Sequence, residues 1–264
     1  MLEQSLIQSY SDELFNALCN QKMIEPLTNR SPEITIEDAY AISNGLLQKR
    51  ITVNNEKVIG KKIGATSAVV QKMLGVNQPD FGYLTDAMVI DESETLSIST
   101  KMIQPKAEGE IAFVLKHDLM GPGVTASDVI RATDFIAPCF EIVDSRIKDW
   151  NIKIQDTVAD NASCGYFVLG QDVVSPRSLD LSTCGMVVEL NGQIISTGAG
   201  AAALGASPVS CVVWLANTLG KFGVSLKAGD VILSGSLVPL QEVKPGDHMS
   251  VNIGGIGRTS IRFD

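Results

Sequence analysis

Histidine is scarce in this chain, which holds only His117 and His248. Neither has a second histidine or a cysteine at the spacing of metal ligands, so zinc sites and histidine-based iron sites are not expected. A serine–histidine–aspartate triad is disfavoured for the same reason, and the sequence has no Gly-x-Ser-x-Gly elbow. We therefore expect the chemistry of this protein to depend on other side chains.

Positive charge is also in short supply: 21 lysines and arginines stand against 30 aspartates and glutamates, for a formal net charge of -9. No basic cluster is interleaved with aromatic residues, so we expect no binding to nucleic acid or to anionic membranes. No apolar run approaches membrane-spanning length, and the first residues lack the charged and apolar regions of a signal peptide. These absences predict a soluble cytoplasmic protein.

A disulfide framework is not expected either, because the cysteines are odd in number, scattered, and mostly set among apolar neighbours. Small buried side chains in a reducing cytosol fit this pattern better. The cysteines are Cys19, Cys139, Cys164, Cys184 and Cys211. With 45% hydrophobic and 19% charged residues, a chain of 264 residues can form one large domain, or a core with a small appendage.

Helix signals concentrate near the start of the chain. An amphipathic pattern predicts a helix over 2–21, and a capping-box arrangement at Thr35 predicts a second helix ending at about Lys49. Three later caps predict further helix starts, at Ser67 (with an end near Gly75), at Thr125 and at Ser207-Pro208.

From Val58 onward, short apolar runs separated by Gly, Pro and Asp predict a β-rich core. Leu190-Asn-Gly-Gln193 predicts a hairpin, and the turns at 227–230 and 244–247 favour a closed roll or sandwich. Strands and helices do not alternate regularly, so a doubly wound fold is not expected. The predicted fold class is α+β, a mixed β-sandwich roll (56–264) with an N-terminal helical segment (1–55).

Two glutamates, Glu108 and Glu110, stand at the head of an apolar run that reads as a buried strand. Side chains alternate faces along a strand, so these carboxylates point the same way, beside apolar surface. Glu141 lies in a second apolar run over 135–143. Buried carboxylates need a compensating cation, and an oxygen-only set favours a hard ion, Mg²⁺ or Mn²⁺. The alternative is that Glu-x-Glu only supplies solvated charge on an exposed strand face.

Alternation along Gly60-Lys-Lys-Ile-Gly64 sends Lys61 and Lys62 to opposite faces, so one of them is expected to point inward. Three carboxylates and a divalent ion leave one net negative charge, and an inward lysine could offset it when an anionic ligand binds. The alternative is a pair of solvated lysines on an edge strand.

Four other positions could bind a substrate or simply shape the backbone. Asp80 lies in a turn that it could cap, and Ser163 lies just before an apolar strand and could cap a helix end. Ser236 and Leu237 follow a strand, and their backbone N–H groups suit an anionic oxygen, although an ordinary strand terminus would look the same. The segment 196–205 resembles a phosphate loop only superficially, because it lacks the Gly-Lys-Ser/Thr ending.

Six motifs in order carry a family resemblance that runs nearly end to end. They are Gly-Lys-Lys-Ile-Gly-Ala-Thr-Ser (60–67), Gly-Val-Asn-Gln-Pro-Asp-Phe-Gly (75–82), Gln-Pro-Lys-Ala-Glu-Gly-Glu-Ile-Ala-Phe (104–113), Glu-Ile-Val-Asp-Ser-Arg (141–146), Val-Ala-Asp-Asn-Ala-Ser (158–163) and Ser-Thr-Gly-Ala-Gly-Ala-Ala-Ala-Leu-Gly (196–205). Together they resemble the hydratase and decarboxylase branch of the fumarylacetoacetate hydrolase superfamily.

The resemblance implies a Mg²⁺ or Mn²⁺ site formed by Glu108, Glu110 and Glu141. It also implies that Lys62 and Asp80 act in catalysis and that Ser163 lies at the edge of the site with the substrate. Further implications are a homo-oligomer and a complex with a decarboxylase partner.

The implied reaction is the addition of water to 2-hydroxypenta-2,4-dienoate, giving 4-hydroxy-2-oxopentanoate, in the meta-cleavage degradation of aromatic compounds. A 4-oxalocrotonate decarboxylase is the nearest alternative, and a non-catalytic partner subunit of that decarboxylase is a further one. An acylpyruvate hydrolase would need a histidine base, and the first 116 residues contain no histidine.

Overall fold

The computed structural model of the chain describes residues 1–74 and 76–264. Short apolar runs interrupted by Gly, Pro and Asp become strands, as the sequence predicts. The strands are β1 (Val58–Gly64), β2 (Asp80–Thr85), β3 (Val89–Ile90), β4 (Thr95–Leu96), β5 (Pro105–Leu115), β6 (Thr133–Asp144), β7 (Tyr166–Leu169), β8 (Gly185–Leu190), β9 (Gln193–Ala199), β10 (Val231–Leu233), β11 (Gln241–Glu242), β12 (His248–Ile253) and β13 (Gly257–Phe263).

Helices flank these strands. The α-helices are α1 (Gln4–Asn20), α2 (Leu27–Arg30), α3 (Ile36–Val53), α4 (Ala68–Leu74), α5 (Ile98–Lys101), α6 (Ala126–Ala132), α7 (Ile154–Ala159) and α8 (Pro208–Gly220). Short 3₁₀ turns cover Asp86–Met88, Lys148–Trp150, Asn161–Ser163 and Gly200–Gly205. Among the described residues, no helix is both long and apolar enough to cross a bilayer.

Local signals set most of the helix boundaries. Thr35 forms the predicted capping box, although its helix continues to Val53 instead of ending near Lys49. Thr125 forms the second capping box, and Ser207 caps a helix that has proline at its first position. The predicted helix after Ser67 is present, but its expected end near Gly75 lies outside the described residues.

The strands form two sheets with mixed pairing. The larger sheet has the order β2-β1-β10-β5-β6-β7-β3, with β11 also paired to β5, and the smaller has the order β4-β13-β12-β8-β9. Strands β1 and β10 run parallel, whereas the long pair β5 and β6 is antiparallel. This arrangement confirms the predicted α+β class and the mixed β-sandwich.

The main core lies between the two sheets. Alternation along β5 sends Ile111 and Phe113 into this core, where they join Met249 and Val251 of β12. The intervening residues of β5, including Glu108 and Glu110, therefore point to the opposite face of the larger sheet. Burial of the core face fixes the register of β5, because a slip of one residue would exchange its two faces.

A second apolar cluster forms among the helices near the start of the chain. Leu14 of α1 and Ile42 and Leu46 of α3 pack with Ile154 and Val158 of α7. Helices α3 and α7 thus lie against one another, beside strand β2, which begins with Asp80. The division of the chain into a segment 1–55 and a core 56–264 stays a prediction.

Candidate metal centre and active site

Strand pairing brings three glutamates together on one face of the larger sheet. Glu108 of β5 lies directly opposite Glu141 of β6, and Glu110 follows two residues along on the same face. Each residue offers one carboxylate oxygen, and these oxygens all lie within 4.8 Å of one another. Glu110 and Glu141 are fully buried, and Glu108 is half-buried. This burial contradicts the alternative in which the glutamates only supply solvated charge on an exposed strand face.

Lys62 is the lysine that reaches this cluster. Its Nζ lies 3.1 Å from Oε1 of Glu141, and its side chain is almost fully buried. Lys61 points to the other face, where its Nζ donates to Asp230 Oδ2 at 2.9 Å. The two lysines therefore lie on opposite faces, as predicted, and both are buried, because β1 has packed neighbours on both of its faces.

Several buried oxygens at the site have no hydrogen-bond partner. Among the described residues, the fully buried side-chain atoms without such a partner are Asp80 Oδ1, Glu110 Oε1, Glu141 Oε1 and Glu141 Oε2. Lys62 approaches Glu141 closely enough for an ion pair but without hydrogen-bond geometry. Buried polar atoms normally have a hydrogen-bond or ligand partner, so this group of unpartnered oxygens indicates a site at which a ligand binds. An all-carboxylate donor set fits a hard divalent cation.

Burial and mutual repulsion raise the pKa values of the three glutamates. Burial, then the Glu141 charge, raise the pKa of Glu108 to about 7, although Lys62 opposes the shift. Burial and the other two carboxylates raise the pKa of Glu110 well above its usual range. Burial also raises the pKa of Glu141, against the opposing effect of Lys62. A divalent cation would relieve the repulsion that these shifts report.

The pKa of Lys62 moves in the direction that favours its charged form. Burial alone lowers this pKa, but the carboxylates of Glu141, Glu108 and Asp80 outweigh burial and raise it above the usual lysine value. Lys62 is thus a cation that the cluster holds in place.

Asp80 is the first residue of β2 and lies opposite Gly64 of β1. A side chain at Gly64 would place its Cβ 2.2 Å from Asp80 Oδ1 and 3.5 Å from Lys62 Nζ, so glycine leaves room for both groups. Burial raises the pKa of Asp80, and Lys62 partly opposes that shift. The structure therefore places Asp80 beside Lys62, as a buried carboxylate with one unpartnered oxygen.

Ser163 lies at the end of an unusual backbone turn. Asn161, Ala162 and Ser163 all have left-handed φ angles, near 50°, which are uncommon for residues other than glycine. The Asn161 side chain both donates to and accepts from the backbone of Tyr83 in β2, and the hydroxyls of Thr157 and Ser163 lie 3.1 Å apart. Strained backbone of this kind persists only where its surroundings hold it.

Arg146 holds the same turn from the other side. This residue is only 1% exposed. Its guanidinium donates to the carboxylate and the carbonyl of Asp160 and to the carbonyls of Asp144 and Cys164. Asp160 and Cys164 flank the turn at 161–163, and Asp144 ends β6, so the burial depends on how this turn packs against the end of the strand.

The segment after β10 uses most of its backbone donors within the protein. Gly235 N–H donates to Glu110 Oε2 at 2.7 Å, and Leu237 N–H donates to Gly109 O at 3.4 Å. Gly235 has a φ of 94°, and a Cβ there would lie 2.3 Å from Thr66, so glycine is required. The Ser236 hydroxyl donates to Val238 O at 2.6 Å and accepts from the Val238 N–H at 3.3 Å. The substrate-binding roles of Ser236 and Leu237 stay predictions.

Tyr40 of α3 is a residue near the site that the sequence did not single out. Its ring stacks on Phe81 with ring centroids 4.5 Å apart. Burial, then the nearby charge of Asp80, raise the pKa of the Tyr40 hydroxyl. An aromatic residue in an amphipathic helix is usually only part of a core, so the sequence carried no signal for this position.

Comparisons with known proteins agree with the fold. The family described as fumarylacetoacetate (FAA) hydrolase C-terminal matches residues 48–263. A 2-hydroxypent-2,4-dienoate hydratase of Pseudomonas putida is 64% identical over 224 residues, which are 85% of this chain and 100% of that protein. A 2-hydroxyhexa-2,4-dienoate hydratase of Comamonas testosteroni is 53% identical over 264 residues, which are 100% of this chain and 99% of that protein.

A solved structure is similar over the whole chain. The 4-oxalocrotonate decarboxylase from Pseudomonas putida G7, complexed with magnesium and adipate, has a TM-score of 0.95 and 36% identity, covering 100% of this chain and 99% of that one. The relatives confirm the predicted enzyme class, a hydro-lyase. This chain therefore belongs to the fumarylacetoacetate hydrolase family, in its 2-keto-4-pentenoate hydratase branch.

Proposed function

We propose that this chain is a divalent-metal-dependent hydratase that adds water to 2-hydroxypenta-2,4-dienoate and forms 4-hydroxy-2-oxopentanoate. In this proposal the reaction belongs to the cytoplasmic meta-cleavage degradation of aromatic compounds. The observation that carries the proposal is the group of buried carboxylate oxygens without partners, beside a buried lysine. Relatives named as hydratases of 2-hydroxydienoates support the choice of reaction.

Glu108, Glu110 and Glu141 would hold the metal, for which we propose Mg²⁺ or Mn²⁺. When bound, such an ion supplies a Lewis acid that polarises the substrate oxygens and a template that orients them. The Gly235 N–H keeps one oxygen of Glu110 in place. The site can thus be preorganised by groups of the protein itself.

The reaction requires protons to move at three substrate atoms and at the attacking water. The C2 hydroxyl loses a proton and C5 gains one, which converts the dienol into an α,β-unsaturated ketone. Water then adds at C4, and C3 takes up a proton. Overall, one water molecule is consumed and no electrons are exchanged.

Lys62 and Asp80 suit these proton transfers. The Lys62 ammonium lies against Glu141, where it offsets the negative charge of an anionic substrate and can donate a proton. Asp80 has an unpartnered oxygen and a raised pKa, so it can orient the water that adds at C4 and accept its proton. Ser163, at the end of its left-handed turn, would bind the substrate through its hydroxyl.

The test is an ultraviolet assay on freshly generated 2-hydroxypenta-2,4-dienoate, with Mg²⁺, with Mn²⁺ and with a chelator. We expect metal-dependent loss of the dienol and formation of 4-hydroxy-2-oxopentanoate. Lys62→Met should lower kcat by about 10²–10⁴-fold, the range for general acid–base catalysis, and change Mg²⁺ affinity much less. Lys57→Met, which changes an exposed lysine just before β1, is the matched control. Equal losses of turnover and Mg²⁺ affinity in Lys62→Met would contradict the role of Lys62.

A second candidate is 4-oxalocrotonate decarboxylase, favoured by the full-length structural match to that enzyme. Its substrate carries an additional carboxylate, which would need another cation or donor in the pocket. The same assay with 4-oxalocrotonate separates the two: carbon dioxide release without hydration of the dienol would reassign the reaction. Size-exclusion chromatography with and without the decarboxylase would test the proposed homo-oligomer and the proposed complex.

A further inference from the structure

A cavity of about 420 Å³ adjoins the carboxylate site. Its volume lies within the range of small-molecule pockets, about 300–1,000 Å³. Its wall combines polar groups from Asn77, Gln78 and Asp80 with apolar side chains, among them those of α3 and α7. Six of its lining residues are Ile36, Tyr40, Val76, Asp80, Ile154 and Val158.

The cavity meets the candidate catalytic site at Asp80. Asp80 lines the cavity and also lies beside Lys62, which in turn contacts Glu141. The order of groups is therefore the carboxylate cluster, the lysine, Asp80 and then the cavity. A bound molecule with its polar end at the cluster would have its other end at the cavity.

The distal wall of the cavity comes from helices and not from the sheets. Ile36 and Tyr40 belong to α3, and Ile154 and Val158 belong to α7, which packs on α3 in a shared apolar cluster. Ile36 and Tyr40 also precede residues 48–263, the part that matches the family. The distal wall thus combines the start of α3, which precedes that part, with α7, which lies within it.

The proposed substrate has a matching polarity. Its carboxylate and C2 oxygen occupy one end, and its other end is hydrocarbon. Water must be added at C4, near the hydrocarbon end, and Asp80 lies at the mouth of the cavity. A five-carbon dienoate is much smaller than the cavity, so apolar space remains beyond C5.

We propose that this cavity binds the hydrocarbon end of the substrate, and that Ile36 of α3 sets how long an alkyl group beyond C5 is accepted. The substrate class is then 2-hydroxy-2,4-dienoates with an unbranched alkyl substituent at C5. The inference deepens the proposed hydratase function and rests on it for the identity of the substrate. It predicts binding that strengthens with alkyl length, independently of any turnover.

The binding test uses Mg²⁺-loaded full-length protein and the 2-oxo acids from 2-oxopentanoate to 2-oxoheptanoate, titrated by calorimetry. Each methylene that leaves water for apolar surface strengthens binding by up to about fourfold, so we expect Kd to fall two- to fourfold per added methylene. Ile36→Trp should abolish this gain, because it fills the cavity from the half-buried first residue of α3. Ile51→Trp, at a half-buried position in the last turn of α3 that does not line the cavity, should keep it.

The turnover test compares 2-hydroxypenta-2,4-dienoate with its 5-ethyl derivative. We expect Ile36→Trp to lower kcat/KM for the 5-ethyl substrate at least tenfold more than for the unsubstituted one, and Ile51→Trp to leave the ratio unchanged. A Kd independent of chain length in the wild-type protein would overturn the inference, whether or not Ile36→Trp folds. An unchanged ratio in a folded Ile36→Trp would overturn the role of Ile36. A chain-length-dependent Kd without hydration of any dienoate would leave the cavity assignment standing and contradict the proposed hydratase.

Discussion

Two buried charged clusters of this protein differ in how completely their polar atoms are satisfied. Around Arg146, the guanidinium donates to Asp160 and to three backbone carbonyls, and the Asp144 carboxylate accepts from the backbone of Ile103 and Gln104. Around Glu141, three carboxylates lie close together, one of them pairs with Lys62, and several of their oxygens have no hydrogen-bond partner.

This difference in hydrogen bonding distinguishes a cluster that only stabilises the fold from one whose carboxylate oxygens can bind a ligand. A buried ion pair with all of its hydrogen bonds made needs no further ligand to satisfy its polar atoms. It also holds in place the segments from which its partners come. Buried carboxylates without partners are unfavourable for folding, so their presence is explained by a ligand that binds there. Burial of charge alone would not have distinguished the two clusters.

The largest expected effect on stability comes from breaking the satisfied cluster. Arg146→Gln leaves the Asp160 carboxylate buried without its cation, and removal of one partner of a buried ion pair costs about 3–5 kcal/mol. Urea denaturation should show this loss in the free energy of unfolding. Arg131→Gln, which removes an exposed arginine, should remain close to the wild type. A stability loss in Arg146→Gln no larger than in the control would contradict the structural role of Arg146.

The next effect concerns the unsatisfied cluster and its proposed ion. Mg²⁺ at a hundred times its Kd should raise the free energy of unfolding by about 2.7 kcal/mol, because the ion binds only the folded chain. Glu110→Gln should abolish this gain without lowering the stability of the metal-free protein, since its amide oxygen can still accept from the Gly235 N–H while one of three mutually repelling carboxylates is removed. Urea denaturation with and without Mg²⁺ measures both quantities. Persistence of the Mg²⁺ effect in Glu110→Gln would argue against Glu110 as a ligand.

The smallest effect is a pH dependence confined to the same cluster. The pKa of Glu108 is raised to about 7, so the folded metal-free chain binds more protons than the unfolded chain, and its stability falls as the pH rises through 7. Mg²⁺ must displace these protons, so its affinity should fall by about tenfold per pH unit below 7 for each proton displaced. Calorimetry at pH 6, 7 and 8 in two buffers would measure affinity and proton release. A Mg²⁺ affinity that stays constant over this range would contradict the raised pKa.

Much of the fold could be predicted from the sequence because its signals are local. The capping boxes at Thr35 and Thr125 and the Asn191-Gly192 hairpin each depend on a few neighbouring residues, and the structure has all of them. The exact end of α3 was missed by a few residues, since packing against α1 and α7 prolongs the helix beyond its sequence signal.

Less of the candidate site could be predicted from residue patterns alone. The spacing of Glu108 and Glu110 predicts a common face, but the position of Glu141 opposite Glu108 depends on the register of β5 and β6. The burial of Arg146 depends on its contacts with Asp144, Asp160 and Cys164. The placement of Tyr40 beside Asp80 depends on contact between α3 and β2. Family resemblance supplied the ligand and catalytic roles, which remain predictions.

The sequence by itself determined the helix caps, the hairpin, and the common face of Glu108 and Glu110, because caps, turns and strand alternation are set within a few residues. Only the tertiary structure decided that Lys62, and not Lys61, contacts Glu141, and that Asp80 lies between the carboxylate site and a cavity lined by helices. The physical reason is that burial and strand register arise from the packing of distant segments, and packing determines which charges are satisfied and which are left for a ligand.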